Sequence, residues 1–214
     1  MLRKELLDST RGRVVALLRR GPMSVDELAS ELGVTPNAVR SQLTSMERDG
    51  LVDRAGQRPG VTRPASLYTI TPEVEQLLSR AYIPLLTHLV HVFAEGLPSA
   101  QVDALLRKAG RSLAEEVLGT HSLSGNLASR VQLASRLMNE QLGAITHVEG
   151  NGSYVIRGTG CPLAALTGKH RAVCLAMESL LAELVDAPVH ECCERAARPR
   201  CCFEIAPPSR ARRV

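Results

Sequence analysis

The sequence predicts an α+β protein that changes character along its length. Three observations predict it. Residues 21–50 alternate helix signals around a tight turn, and two short strand-like runs follow. Residues 72–142 carry apolar stripes at helical spacing, broken only by Gly and Pro. Beyond residue 143 an Asn-Gly pair marks a hairpin, in a region that holds all six cysteines.

The first element is a helix over residues 5–19. Leu6, Leu7, Val14, Val15, Leu17 and Leu18 supply its apolar side, with Thr10 to Arg13 either interrupting it or marking its true start. Ser24 and Glu27 form a capping box for the next helix, in which Val25, Leu28, Ala29 and Leu32 share a face. Gly33 permits the turn, Thr35 caps the following helix, and Pro36 fits its first position, where no amide donor is needed. Val39, Leu43 and Met46 form the buried stripe of that helix, residues 36–48. Asn37, Arg40, Ser41, Thr44 and Arg48 lie on other faces, and Asp49-Gly50 ends it. A helical hairpin of this kind is the layout of a DNA-reading helix-turn-helix, with residues 36–48 entering the major groove.

Leu51 to Arg54 and Ser66 to Thr71 read as two strands. The loop between them holds two Gly, two Pro and the basic residues Arg58 and Arg63, with Arg54 at its edge. Such a hairpin beside a helix-turn-helix is a wing, whose guanidinium groups reach phosphates or a narrow minor groove. This stretch resembles the winged-helix transcriptional regulators at Glu27-Leu28-Ala29, Leu32-Gly33-Val34, Val39-Arg40, Leu43, Glu47, Gly50-Leu51-Val52, Arg63-Pro64-Ala65 and Tyr68. The resemblance implies binding to double-stranded operator DNA as a homodimer. The residues expected at DNA are Pro36, Asn37, Arg40, Ser41 and Thr44 on the helix, with Arg40 at a base edge, and Arg58 and Arg63 on the wing.

The totals are compatible with this. Of the net charge of +4, residues 1–71 carry 11 basic and 8 acidic side chains, so the excess sits on the first part. Two Phe, three Tyr and no Trp argue against single-strand binding by base stacking. No signal-peptide pattern and no membrane-length apolar run is visible, so a cytoplasmic protein without membrane partners is expected. No nucleotide loop or Ser-His-Asp arrangement suggests an enzyme.

Thr71 caps a long helix running from Pro72 toward Glu95, which Pro84 bends or splits. His88 and His91 on it are more readily surface or packing residues than a metal pair. Gly96-Leu97-Pro98 breaks the chain. Residues 99–118 and 127–142 are further helices around a loop at 119–126. Strands are expected at 144–149 and 153–157, a helix at about 168–185, and two strands at 189–193 and 201–206. The domains read as 1–71, winged helix-turn-helix; 72–142, helical linker and dimerisation region; 143–206, a small α+β cysteine-rich sensor; and 207–214, a disordered tail.

The cysteines fall at four loci: Cys161, Cys174, the pair Cys192 and Cys193, and the pair Cys201 and Cys202. In a reducing compartment they are expected as thiols or ligands rather than disulfides. Four thiolate loci suit a tetrahedral zinc or an iron–sulfur centre. Neighbours in a pair point in different directions on a strand, so one of each pair is expected to face a common site. The spacing matches neither zinc knuckles nor a ferredoxin run. The alternative is that several are small core hydrophobes, with Cys174 the foremost candidate.

This region also resembles the Suf repressor group, iron–sulfur-dependent winged-helix regulators of cluster-assembly genes. The resemblance rests on Gly160-Cys161-Pro162, Cys161-x12-Cys174, Met177-Glu178, Leu180-Leu181 and Cys174-x27-Cys202 before Phe203. It implies Cys161, Cys174 and Cys202 as ligands, with Cys192 or Cys193 as the fourth and Cys201 a lesser candidate. His190 and Glu191 are conceivable replacements. The implied cofactor is [4Fe-4S], with [2Fe-2S] possible and zinc the alternative. The expected protein is therefore a repressor whose operator affinity follows the state of the centre, sensing iron–sulfur status, oxygen or nitric oxide. The alternatives are a zinc-stabilised or thiol-redox winged-helix regulator without a cluster and, less favoured, a cluster-containing enzyme or electron carrier.

Overall fold

The computed structural model describes residues 9–59 and 64–206. The expectations for Leu6, Leu7, Arg63 and the tail 207–214 lie outside the described residues. The chain divides into two compact units, Met1–Arg80 and Ala81–Val214.

In the first unit, Ser9 caps α1 (Thr10–Leu18) by accepting from the Gly12 amide at 3.0 Å. Thr10 is therefore the helix start among the described residues. A two-residue strand, β1 (Met23–Ser24), leads into α2 (Val25–Leu32). The capping box forms: the Ser24 amide donates to Glu27 Oε2 at 2.7 Å, and the Glu27 amide donates to Ser24 Oγ at 3.3 Å. Gly33 closes the helix in the left-handed region at φ 69°. Thr35 and Pro36 then open α3 (Pro36–Arg48). The wing is β2 (Val52–Arg58) and β3 (Ala65–Ile70), and the antiparallel order is β1-β3-β2. The first wing strand runs four residues past its expected end at Arg54. A bulge between Arg54 and Gly56, with Gly56 at φ 111°, lets pairing continue to Arg58–Ala65. Thr71 caps α4 (Pro72–Leu78), and Arg19 donates to both Glu75 carboxylate oxygens at 2.8 and 3.0 Å. Val14, Leu18, Leu28, Leu43, Met46 and Val52 fill the core.

The second unit begins with α5 (Tyr82–Gly96). The single helix expected from Pro72 is thus two, parted at residues 79–81, where Ser79 is extended. Pro84 falls in the first turn of α5, where its missing donor costs nothing, so it neither bends nor splits a helix. Next come α6 (Ser99–Leu118) and α7 (Leu127–Gln141), then strands β4 (Thr146–Glu149) and β5 (Tyr154–Gly158). A short helix absent from the sequence reading, α8 (Ala164–Thr167), precedes a 3₁₀ turn at Arg171–Val173 and α9 (Cys174–Val185). Strands β6 (Val189–Glu191) and β7 (Cys202–Ile205) complete an antiparallel sheet ordered β4-β5-β7-β6.

One face of this sheet packs on helices. Ile156, Phe203 and Ile205 join Leu137, Met138, Leu180 and Leu181 in a core from which water is excluded. Glu204, between the two apolar residues of β7, is exposed. Helices α6 and α9 cross closely at Gly110, where an added Cβ would lie 2.0 Å from the Ala176 carbonyl oxygen. Asn139 fixes the start of β4: its amide donates to the Thr146 carbonyl at 3.1 Å, and its Oδ1 accepts from the Thr146 amide at 2.8 Å. No single helix among the described residues is long and apolar enough to cross a membrane.

Candidate DNA interface and cysteine cluster

Helix α3 is positioned by Val39, Leu43 and Met46, each at most 1% exposed. Burying that stripe leaves Pro36, Asn37, Arg40, Ser41 and Thr44 exposed. Arg40 donates to Asn37 Oδ1 at 2.9 Å, one turn apart on the same face. This bond holds an amide and a guanidinium together at the N-terminal half of the helix, both able to read purine edges.

The two wing arginines among the described residues are engaged within the unit. Arg58 donates to Glu27 Oε1 at 2.6 Å, and Arg54 donates to Glu47 Oε1 at 3.0 Å. Bonds from the Ser24 amide and hydroxyl, aided by Arg58, hold the Glu27 carboxyl below its usual range. Arg58 must therefore trade Glu27 for any phosphate. Both pairs lie at the surface, where ion pairs are weak, so the exchange costs little.

The cysteines split in a way the sequence did not resolve. Pairing of β6 with β7 runs from Val189–Ile205 to Glu191–Phe203 and continues with the Cys192 amide donating to the Cys202 carbonyl at 2.8 Å. Cys192 and Cys202 are therefore directly opposed, with Cα atoms 4.9 Å apart, and form a disulfide. The expectation of thiols throughout fails at these two positions, because opposed residues on neighbouring strands share a face. Cys202, expected as a ligand, has its sulfur bonded to Cys192, and the same holds for Cys192 as a candidate fourth ligand.

The other four are free: Cys161, Cys174, Cys193 and Cys201. Alternation along the strand puts Cys201 on the core side with Phe203 and Ile205, so it is Cys201 that meets Cys161. The four free thiols form one chain of groups that shift one another, Cys174 with Cys193, Cys193 with Cys201, and Cys201 with Cys161. Donation from Cys201, helped by the Leu163 amide and the Thr167 hydroxyl, lowers the Cys161 pKa to about 7. Cys174 moves the other way, raised by its bond to Cys193, by burial and by Glu191. Donation from Cys174 favours the Cys193 thiolate, but the bond to Cys201 and burial override it and push Cys193 up to about 12. The bond to Cys161 and burial push Cys201 to about 12 as well. Cys161 is thus the thiolate end of the chain.

Local structure explains the convergence. The Gly158 amide donates to the Cys201 carbonyl at 2.8 Å, and the Cys201 amide donates to Gly160 at 3.3 Å, stitching the Cys161 turn to the start of β7. Cys174 opens α9. Cys193 is set by its amide, which donates to Glu191 Oε1 at 2.7 Å, and the Cys202 amide donates to Cys193 Sγ at 3.2 Å. Glu178 anchors this end: it accepts from Arg107 at 2.9 Å and from the Glu191 amide at 3.1 Å. Arg195 bonds to Glu191. Glu178, part of the resemblance, and Glu191, a conceivable ligand, serve here as hydrogen-bond anchors, and Arg195 does not stand out in the sequence. Cys201 was the lesser candidate, although the Phe203-Glu204-Ile205 pattern carries the signal for its inward face.

The donor set is that of a four-thiolate centre, and the Thr167 hydroxyl is buried beside Cys161. Still, among the described residues no three His, Cys, Asp or Glu side chains are grouped as metal ligands would be. His91 lies near His170, with ring centroids 5.7 Å apart, and pairs with Glu95 at 3.2 Å.

Residues 3–57 match the family model described as the DprA winged helix domain. The chain therefore carries a winged-helix domain, and the match stops short of the cysteine region. No curated protein matches the chain. Among solved structures, ZitR of Lactococcus lactis in its apo form aligns at 15% identity, covering 48% of this chain and 77% of that one, with a TM-score of 0.29. PadR of Bacillus subtilis in complex with operator DNA aligns at 14% identity, covering 81% of this chain and 94% of that one, with a TM-score of 0.27. Neither superposition is close enough to bear on this chain's architecture or activity.

Proposed function

We propose that the protein is a DNA-binding transcriptional regulator, a dimeric repressor whose operator affinity is set by cysteine chemistry in its second unit. The observation that carries this reading is the division of labour. A winged helix with an exposed Asn37–Arg40 reading face stands in one unit, and all six cysteines gather at one end of the sheet in the other. Control by thiol oxidation state is supported by the Cys192–Cys202 pair and by the thiolate character of Cys161.

Dimerisation is assigned to α5. Tyr82, Ile83, Leu85, Leu89, Val92 and Phe93 are all more than two-fifths exposed, whereas Val90 on the same helix is buried against Leu166 and Val173. A patch of this kind favours burial against a second copy of the helix.

A second reading is supported by the presence of four free cysteines on four separate segments of the second unit. Cys161, Cys174, Cys193 and Cys201 are the residues that would hold an iron–sulfur cluster, [4Fe-4S] or [2Fe-2S], or a zinc ion. A bound centre would join α9 to both ends of the β6–β7 loop and would be lost on oxidation. The test is selection from a random duplex library by the full chain, purified anaerobically, with iron, sulfide and zinc counted per chain. Enrichment of an inverted repeat is expected, with affinity differing between reduced and oxidised protein. A library that yields no enriched sequence overturns the regulator reading. Iron and sulfide in equal amounts favour the cluster, and a colourless metal-free protein that still responds to oxidant favours thiol control.

A further inference from the structure

The register of the second sheet lines up one row across its outer face. His147 pairs with Arg157, Arg157 with Cys202, and Cys202 stands opposite Cys192. The disulfide therefore does not belong to the four-thiol chain on the core side. It opens instead to a cavity of about 240 Å³ lined by His147, Arg157, Glu194, Arg200, Cys201 and Cys202. Two of the lining side chains are guanidiniums and one is an imidazole, against a single carboxylate. Arg157 and His147 share Glu149 at 3.3 and 3.0 Å, and Arg200 lies 4.0 Å from Glu194. These pairs are exposed and weak, so the two guanidiniums beside the disulfide can be exchanged onto an anionic nucleophile.

The same disulfide closes the end of the β6–β7 ladder. Beyond it the two strands are joined by the Glu194–Arg200 bridge and by the Cys202 amide on Cys193 Sγ. Cys193 and Cys201, the two thiols that link Cys174 to Cys161, are the immediate chain neighbours of the disulfide. Opening it removes the covalent tie beside them, leaving Cys193 held by the Cys202 amide on its sulfur and by its own amide on Glu191, and Cys201 by its main-chain bonds and core packing.

We propose that Cys192 and Cys202 are a reversible thiol–disulfide couple that exchanges with a small anionic thiol in this cavity, and that its state decides whether Cys193 and Cys201 are held in the thiol chain. The consequence for DNA rests on the thiol-control reading above; the exchange chemistry does not. In the reductive direction a thiolate attacks Cys202 Sγ, and the Cys192–Cys202 bond breaks. Cys192 leaves as a thiolate and takes a proton from solvent. A second small thiol attacks its own kind in the mixed disulfide, releasing the small-molecule disulfide and the Cys202 thiol. Two small thiols are oxidised and one protein disulfide is reduced; the reverse uses the small disulfide as oxidant.

The test uses the full-length, chelator-treated chain and glutathione as the probe. The protein is equilibrated anaerobically over a range of reduced-to-oxidised glutathione ratios, quenched in acid, alkylated and mapped by mass spectrometry. Cys192 and Cys202 are expected to convert together, at the same ratio from either direction. Opening by glutathione is expected to be at least threefold faster than by cysteamine, a cationic thiol, at equal thiolate concentration. In the reduced wild-type chain Cys193 and Cys201 are expected to alkylate at least fivefold faster than in the oxidised chain. Other pairings, equal rates with the two thiols, or unchanged labelling of Cys193 and Cys201 overturn the proposal. DNA affinity measured on the same samples separates the two claims. A clean couple with no change in affinity leaves the exchange site standing and removes thiol control.

Discussion

Arg40 and Asn37 show how much rests on single side chains. Their mutual bond aims both along one exposed face of α3. Arg40→Ala is expected to cost about 1–3 kcal/mol at the preferred base pair and to relax discrimination there. Arg58→Ala should weaken all duplexes alike, since its present partner, Glu27, marks it as a charge without base-edge geometry. Parallel selections on the two variants check this, and an Arg40→Ala protein with unaltered sequence preference removes Arg40 from the base edge. Cys161 carries a pH prediction. Its lowered pKa means the thiolate grows in as pH rises through about 7, while Cys193 and Cys201 stay protonated to about 12. In the reduced, metal-free chain, iodoacetamide labelling of Cys161 should be half-maximal near that pH. Cys201→Ala removes the main donor, so the midpoint should climb toward the ordinary thiol value; an unmoved midpoint refutes the donor's role.

Elements meet through a few close approaches. Helices α6 and α9 come so near at Gly110 that any side chain there strikes the Ala176 backbone. Gly110→Ala is expected to destabilise the second unit by at least the upper part of about 1–3 kcal/mol, because a backbone atom cannot rotate away. Urea unfolding followed by circular dichroism measures it. Helix α5 makes the opposite case, since its apolar side chains face outward. Leu89→Glu should shift the chain toward monomer in sedimentation without lowering unfolding stability, because Leu89 is exposed in one copy. A variant that remains as dimeric as the native chain sinks the assignment to α5.

At the scale of the molecule, the winged helix and the cysteines belong to separate compact units. Any control of one by the other must act through a difference in free energy between global states. The net charge of +4 is small, so long-range attraction to DNA is modest and local phosphate contacts must dominate. Binding to a selected duplex should therefore weaken steeply with salt, and Arg58→Ala should flatten the slope of log affinity against log salt by about one. A slope unchanged by the substitution removes Arg58 from the phosphates.

Local chemistry determined much of the first unit. The Ser24–Glu27 capping box, Gly33, the Thr35-Pro36 start and the Val39, Leu43, Met46 stripe each depend on residues within one or two turns, so the sequence alone placed them. The same holds for α6, which begins after Pro98 and ends at Gly119. A bend or split is legible from Pro84, but the break falls earlier, at residues 79–81, because a helix start uses the fixed φ of proline without loss. The cysteine site was legible only as a count of loci. Which member of each pair faces the core depends on strand register, and register comes from long-range pairing of β7 with both β5 and β6. A shift of one residue exchanges Cys201 for Cys202. The capping signals are local and survive in the linear sequence, while the grouping of Cys161, Cys174, Cys193 and Cys201, and the opposition of Cys192 to Cys202, exist only once the sheet has closed.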